Sequence, residues 1–164
     1  MRPTLRLAAA LLALAHVPSL AAPPSTDPGS LPIYDTNSIG ALAIEAASRA
    51  ASESGRRLFV NFGTNDCPPC RVVNDAIYEE PFQTAFFAEF VPVFVDVSAG
   101  SANVSTAARY GIDPAKGLPA VILSDESLRM AEATRSGELL EVAKKGKEAV
   151  REWLVGRFRP RAGK

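Results

Sequence analysis

The feature that most constrains the fold is a pair of cysteines, Cys67 and Cys70, placed between an apolar run and an amphipathic segment. The run at 58–62 (LFVNF) is bounded by charge and glycine, which predicts a short buried strand. After the pair, apolar residues recur with the spacing of one helix face: Val72, Val73, Ala76 and Ile77. We therefore expect the cysteines at a junction between a strand and the helix that follows it.

Strands and helices alternate along the rest of the chain. Helices are predicted at 38–54, 82–90, 103–111 and 138–158, and strands at 91–97, 119–124 and within 128–135. A weak further strand is indicated at 31–35. This order predicts an α/β protein with a central mixed sheet of four to five strands and helices on both faces. The aromatic residues of the segment after Pro81 are expected in the core: Phe82, Phe86, Phe87 and Phe90.

The N-terminal residues have the pattern of an export signal. Arg2 and Arg6 precede an apolar run at 7–15, and small residues then allow a cut after Ala21. A retained anchor is the alternative. The organisation we expect is a signal peptide at 1–21, a flexible leader at 22–35, one domain at 36–158 and a basic tail at 159–164.

The charge and the histidine content of the sequence limit the partners and the kinds of catalysis that the protein can have. Cleavage after Ala21 would remove two arginines and His16, the only histidine in the sequence. The slightly acidic remainder gives no reason to expect a nucleic acid partner. Without an imidazole, Cys–His nucleophilic catalysis and histidine-ligated metals are excluded from the mature chain.

The cysteine pair itself allows three interpretations. A structural disulfide closing so short a loop would stabilise the fold by only about 2 kcal/mol. A metal site lacks ligands, because zinc needs four and copper(I) would have only the two thiolates with Met130. A redox pair is favoured, because a helix N-terminus lowers the pKa of the first thiol and the second lies one turn away. No metal and no cofactor are expected.

Residues 58–140 resemble the thioredoxin superfamily, in particular its secreted bacterial members. The resemblance rests on CPPC at 67–70 after a strand, on FVPVFVDV followed by ARYGI, and on GLPAVIL. It implies a thioredoxin fold in which Cys67 attacks a disulfide and Cys70 resolves the mixed disulfide. It also implies that Pro119 is a cis-proline facing the pair and that Leu118 offers its backbone to a substrate strand.

The sequence departs from the family pattern near the cysteines. Asp66 stands where many thioredoxins have tryptophan, and Asn61 stands where they bury an acid that takes the proton of the resolving thiol. Because Asn61 cannot titrate, that proton must go to water or to another acid, of which Asp66 is the nearest in sequence. A plain surface role weighs more heavily for Asp66. Lys116, in the longer connection DPAKG, is either a modulator of the pair or a solvated loop lysine.

The two residues between the cysteines have a specific consequence. Pro68 and Pro69 suit the first turn of a helix, where their missing N–H groups would be unpaired anyway. They cannot donate to the Cys67 sulfur, so the Cys70 N–H remains as the natural backbone donor. We expect a less stabilised Cys67 thiolate on a stiffer turn.

The function expected from these residues and the resemblance is that of a monomeric periplasmic thiol–disulfide oxidoreductase. Its substrate would be a protein with a disulfide or dithiol, and its redox partner an unidentified protein such as a membrane reductase. One alternative is a binding or chaperone-like module with a structural disulfide. Another is a partner in metal or cytochrome maturation. Reduction, oxidation and isomerisation all remain open, because the reduction potential sets the direction.

Overall fold

The computed structural model describes residues 31–158. The predicted signal peptide, residues 22–30 of the predicted leader and the basic tail lie outside the described residues. The described residues from Pro32 onward belong to one compact unit.

The described residues form six α-helices and four strands. In chain order they are α1 (Gly40–Ser54), β1 (Arg57–Gly63), α2 (Pro68–Tyr78), α3 (Phe82–Glu89), β2 (Phe90–Asp96), α4 (Asn103–Arg109), β3 (Ala120–Ser124), β4 (Met130–Ala133), α5 (Glu138–Ala143) and α6 (Lys147–Val155). A 3-10 turn at Pro114–Lys116 precedes β3.

The four strands form one mixed sheet with the order β2-β1-β3-β4. β1 pairs with β2 in parallel and with β3 in antiparallel orientation, and β3 pairs antiparallel with β4. The predicted α/β class and mixed sheet are thus confirmed, with the lower of the two expected strand numbers among the described residues. The weak strand indicated at 31–35 is wrong. That segment is irregular, and Tyr34 within it is buried by tertiary contacts.

Every residue of β1 is buried, because helices cover both faces of the sheet. On one face Phe59 packs in a cluster with residues of α2, α3, α5 and α6. On the other face Leu58, Val60 and Phe62 pack with residues of α1 and α4. The predicted aromatic core is confirmed, since Phe86 and Phe90 are fully buried and their neighbours Phe82 and Phe87 pack against the first cluster.

The single helix predicted at 138–158 is wrong. The chain instead forms α5 and α6, separated at Gly146, whose φ of 106° no α-helix accommodates. Both helices bury their apolar residues in the same cluster as Phe59. The apolar spacing therefore continues across the break, and this explains why the pattern resembled one long helix.

Candidate active site

The cysteine pair lies where β1 passes into α2. Cys67 is the N-cap of α2, with extended backbone, and Pro68 and Pro69 are its first two helical residues. The two sulfur atoms form a disulfide with an S–S distance of 2.09 Å and a Cα–Cα distance of 5.2 Å. Cys67 is half-buried, whereas Cys70 has no solvent exposure. An incoming thiol or disulfide therefore reaches Cys67 first.

The backbone donor to the first sulfur is the one expected from the two prolines. The Cys70 N–H donates to Cys67 Sγ at 3.2 Å. Pro68 and Pro69 have no N–H to add. The helix terminus thus presents one hydrogen-bond donor to the Cys67 sulfur instead of the two or three that an unsubstituted first turn offers.

Pro119 lies at the same edge of the sheet as the cysteine loop. The Leu118–Pro119 peptide bond is cis, and Pro119 is buried immediately before β3. Phe62, near the end of β1, pairs with Ala120, so Pro119 is next to the point where β1 leads into the cysteine loop. Leu118 is half-buried and packs against the cluster of Leu58, Val60 and Phe62.

Three residues that the sequence proposed as modulators lie in different surroundings. Asp66 is exposed, and a hydrogen bond from the Thr64 side chain lowers the pKa of its carboxyl. Lys116 is exposed at the end of the 3-10 turn, and its backbone carbonyl lies against Gly137 at the start of α5. Asn61 alone is buried, on β1, and it faces the same side of the sheet as α2. Of the three, only Asn61 is enclosed in the interior, as Cys70 is.

Ile33 and Tyr34, which lie within the predicted leader, are bound to the cysteine loop. The side-chain oxygen of Asn65 accepts the N–H groups of Ile33 (2.8 Å) and Tyr34 (3.0 Å). Its amide nitrogen donates to the Tyr34 carbonyl at 2.9 Å. The local sequence signal here is the short segment LPIYD at 31–35, which predicts a weak strand instead of this contact.

Tyr34 and Asp96 are two buried polar residues that sequence reasoning missed. Tyr34 is 1% exposed, and burial raises the pKa of its phenol, so the hydroxyl keeps its proton at neutral pH. Asp96 ends β2, where it is the register partner of Gly63. It is also 1% exposed, and one of its oxygens accepts a hydrogen bond from the Ser98 hydroxyl at 2.7 Å.

A surface pocket of about 430 Å³ opens beside the first sulfur. Its lining combines apolar atoms of the first turns of α2 with charged residues at the rim. The lining residues are Asn65, Asp66, Cys67, Pro68, Arg71, Val72 and Asp75. Cys67 therefore borders an open pocket, whereas the enclosed Cys70 does not.

The fold and the site define a thioredoxin-like protein: a mixed sheet between helices, with a Cys-x-x-Cys disulfide at a helix N-terminus. The family model described as "Thioredoxin-like" matches residues 40–125. The chain therefore belongs to the thioredoxin-like family.

Two solved structures are similar to this chain. A disulphide isomerase from Xylella fastidiosa Temecula1 is 22% identical and superposes with a TM-score of 0.69, covering 76% of this chain and 95% of that one. A thioredoxin from Thermus thermophilus is 21% identical with a TM-score of 0.45, covering 68% of this chain and 83% of that one. No curated protein sequence matches significantly. At these identities the first neighbour shows a shared fold.

Two searches of the described part of the chain were negative. Within residues 31–158, no three histidine, cysteine, aspartate or glutamate side chains are grouped so as to hold a metal ion. Within the same residues, no helix is long and apolar enough to cross a bilayer.

Proposed function

We propose that this protein is a thiol–disulfide oxidoreductase that acts on protein disulfides or dithiols in the cell envelope. The observation that carries the proposal is the unequal placement of the two cysteines. The accessible Cys67 is the N-cap of α2, and Cys70, one turn later, is enclosed and already bonded to it. A purely structural disulfide does not require one sulfur to face a pocket.

The chemistry follows from this geometry. In the reduced protein the Cys67 thiolate attacks a substrate disulfide, forming a mixed disulfide and releasing one substrate thiolate. Cys70 loses its proton and attacks Cys67, which gives the Cys67–Cys70 disulfide and releases the second substrate thiolate. The substrate gains two electrons and the protein loses two. A redox partner must then reduce the pair, and the same steps in reverse would oxidise a substrate dithiol.

The substrate and its position are part of the proposal. Leu118 and Pro119 lie beside the end of β1, so an extended substrate chain could pair with the backbone at Leu118 while its sulfur reaches Cys67. The partner that resets the pair would be another redox protein, with a membrane reductase as the first candidate. The signal-like N-terminal sequence supports export to the periplasm, and the protein is proposed to act there as a monomer.

Reduction of insulin by dithiothreitol tests the activity. The reduced protein should accelerate insulin precipitation, and Cys67→Ser should abolish the acceleration. Cys70→Ser should instead accumulate a mixed disulfide with insulin, visible on a non-reducing gel. If the wild-type protein gives no acceleration and Cys70→Ser traps no complex, the fold serves as a binding module with a structural disulfide.

The direction of the reaction is assigned by the reduction potential of the pair, measured against glutathione. A potential of about −270 mV would assign a reductase, and one of about −120 mV an oxidase.

Export of the protein is tested by a separate experiment. The mass of the protein recovered from a periplasmic fraction should correspond to a chain that begins after Ala21, whereas an intact N-terminus would contradict cleavage.

A further inference from the structure

Four buried side-chain atoms have no hydrogen-bond partner among the described residues. They belong to three residues that meet on one side of the sheet: Tyr34 Oη, both amide atoms of Asn61, and Asp96 Oδ1. Each residue is at most 1% exposed. Buried polar groups are almost always paired, so a cluster of unpaired ones needs an explanation.

The three residues converge because of strand register. Asn61 and Gly63 lie two apart on β1, and their partners on β2 are Phe94 and Asp96. Paired residues of parallel strands point to the same face, and here that face is the one covered by α2. Tyr34 lies on this same face, with its ring edge-on to Phe94 at 6.0 Å between ring centroids.

The cluster reaches the buried sulfur through the missing side chain of Gly63. A Cβ at Gly63 would lie 2.1 Å from Tyr34 Oη and 2.9 Å from Cys70 Sγ. The hydroxyl and the sulfur are therefore no farther apart than these two distances combined. Glycine at this position allows the phenol to lie beside the resolving cysteine.

The charges are arranged for proton transfer. Burial raises the pKa of Tyr34 most, the nearby Asn61 amide lowers it in part, and the negative charge of Asp96 raises it further. A neutral phenol both donates and accepts a hydrogen bond. Of the other charged groups nearby, Asp35 and Asp66 are exposed and Arg71 of α2 is half-buried beside the pocket. Asp96 is thus the enclosed acid on this side of the sheet.

We propose that Asp96, together with the neighbouring Tyr34 and Asn61, forms the polar cluster through which Cys70 loses its proton, an inference that rests on the proposed function. When Cys67 is bonded to a substrate, the Cys70 proton passes to the Asp96 carboxylate through the polar cluster that the Tyr34 hydroxyl and the Asn61 amide line. The Cys70 thiolate then attacks Cys67 Sγ, and the Cys67–substrate bond breaks. The substrate leaves as a thiolate and takes a proton from water, and Asp96 releases its proton to solvent.

The deprotonation of Cys70 can be followed in a two-phase reaction with the reagent dithiobis(nitrobenzoate). The reduced protein should release one thionitrobenzoate when Cys67 is modified and a second when Cys70 displaces the first adduct. We expect Asp96→Asn and Tyr34→Phe to slow the second release at neutral pH by at least about tenfold, within the range of positioned acid–base groups. The first release should be unchanged. In both variants the second release should accelerate with hydroxide concentration, because solvent becomes the proton acceptor.

Matched controls separate this role from a structural one. Glu53→Gln removes an exposed acid on α1, and Tyr78→Phe removes the hydroxyl of a tyrosine that is 45% exposed, and neither should slow the second release. Adding Asn61→Asp to Asp96→Asn returns a carboxylate to the cluster and should restore part of the rate. Circular dichroism checks that each variant folds. If Asp96→Asn does not fold, the rate of the second release in Tyr34→Phe tests the proposal.

An unchanged second release in folded Tyr34→Phe and Asp96→Asn would overturn the path. So would a slower release with an unaltered pH profile, since a packing defect predicts that result. The reagent requires only two thiols. A wild-type protein that fails to reduce insulin would therefore refute the proposed function while leaving this step measurable.

Discussion

Asn65 holds Tyr34 against the cysteine loop: its side chain accepts the Tyr34 N–H at 3.0 Å and donates to the Tyr34 carbonyl at 2.9 Å. The loop that positions Cys67 thus also positions a residue more than thirty places earlier in the chain. This contact makes the segment before α1 part of the site, although its sequence resembles a flexible leader.

Asn65→Ala should destabilise the protein. It removes three hydrogen bonds to the backbone of Ile33 and Tyr34, and hydrogen bonds are worth about 1 kcal/mol each. We expect a loss of about 1–3 kcal/mol in the free energy of unfolding, measured by urea titration. Asn74→Ala, at a residue whose side chain makes an exposed contact with Asp75, is the control and should change little. Equal stability of the two variants would show that the leader contact contributes nothing.

Gly63→Ala should disturb the site through a steric clash. The new Cβ would meet the hydroxyl of Tyr34 and the sulfur of Cys70 at distances that no real contact shows. We expect a loss of about 1–3 kcal/mol in the free energy of unfolding. Because Tyr34→Ala removes the nearer atoms, the same glycine substitution should cost less in that background. Gly156→Ala, where the nearest atom is 3.6 Å away, is the control.

Pro69→Ala should make the Cys67 thiol more reactive. The substitution restores a second N–H in the first turn of α2, beside the one from Cys70 that already reaches the sulfur. A further donor stabilises the thiolate, so the rate of alkylation by iodoacetamide at neutral pH should rise several-fold. Val72→Ala, in the same helix but beyond its first turn, is the comparison. A rate no higher than that of the wild type would mean that the prolines do not limit thiolate stabilisation.

Glu79→Gln should make the stability of the protein less dependent on pH in the acidic range. Glu79 follows α2 and binds Lys147 and Arg151 of α6, and hydrogen bonds from these two side chains lower the pKa of its carboxyl. A lowered pKa in the folded state contributes stability above the ordinary value of 4.5, which is lost as the pH falls through the folded-state pKa. Urea midpoints from pH 6 downward should therefore decline less in the variant. A decline as steep as that of the wild type, or of Glu126→Gln, would contradict this contribution.

Local sequence patterns predicted much of the fold. The strand before Cys67 and the helix after it were predictable because apolar spacing and proline placement act over a few residues. The role of the Cys70 N–H followed from the two prolines for the same reason. The break between α5 and α6 was missed, because two short helices that pack on one core repeat the apolar spacing of a single longer helix.

Local sequence patterns could not predict the surroundings of Cys70. The sequence by itself determined the cysteine pair, its strand–helix junction, and the lack of a titratable side chain at Asn61. Only the tertiary structure decided which buried polar groups gather near Cys70, because strand register pairs Asp96 with Gly63 and Asn65 holds Tyr34, whose hydroxyl lies against Gly63. Asp66, the nearest acid in sequence, faces solvent instead. Register and long-range hydrogen bonds join residues far apart in the chain, and no local spacing encodes them.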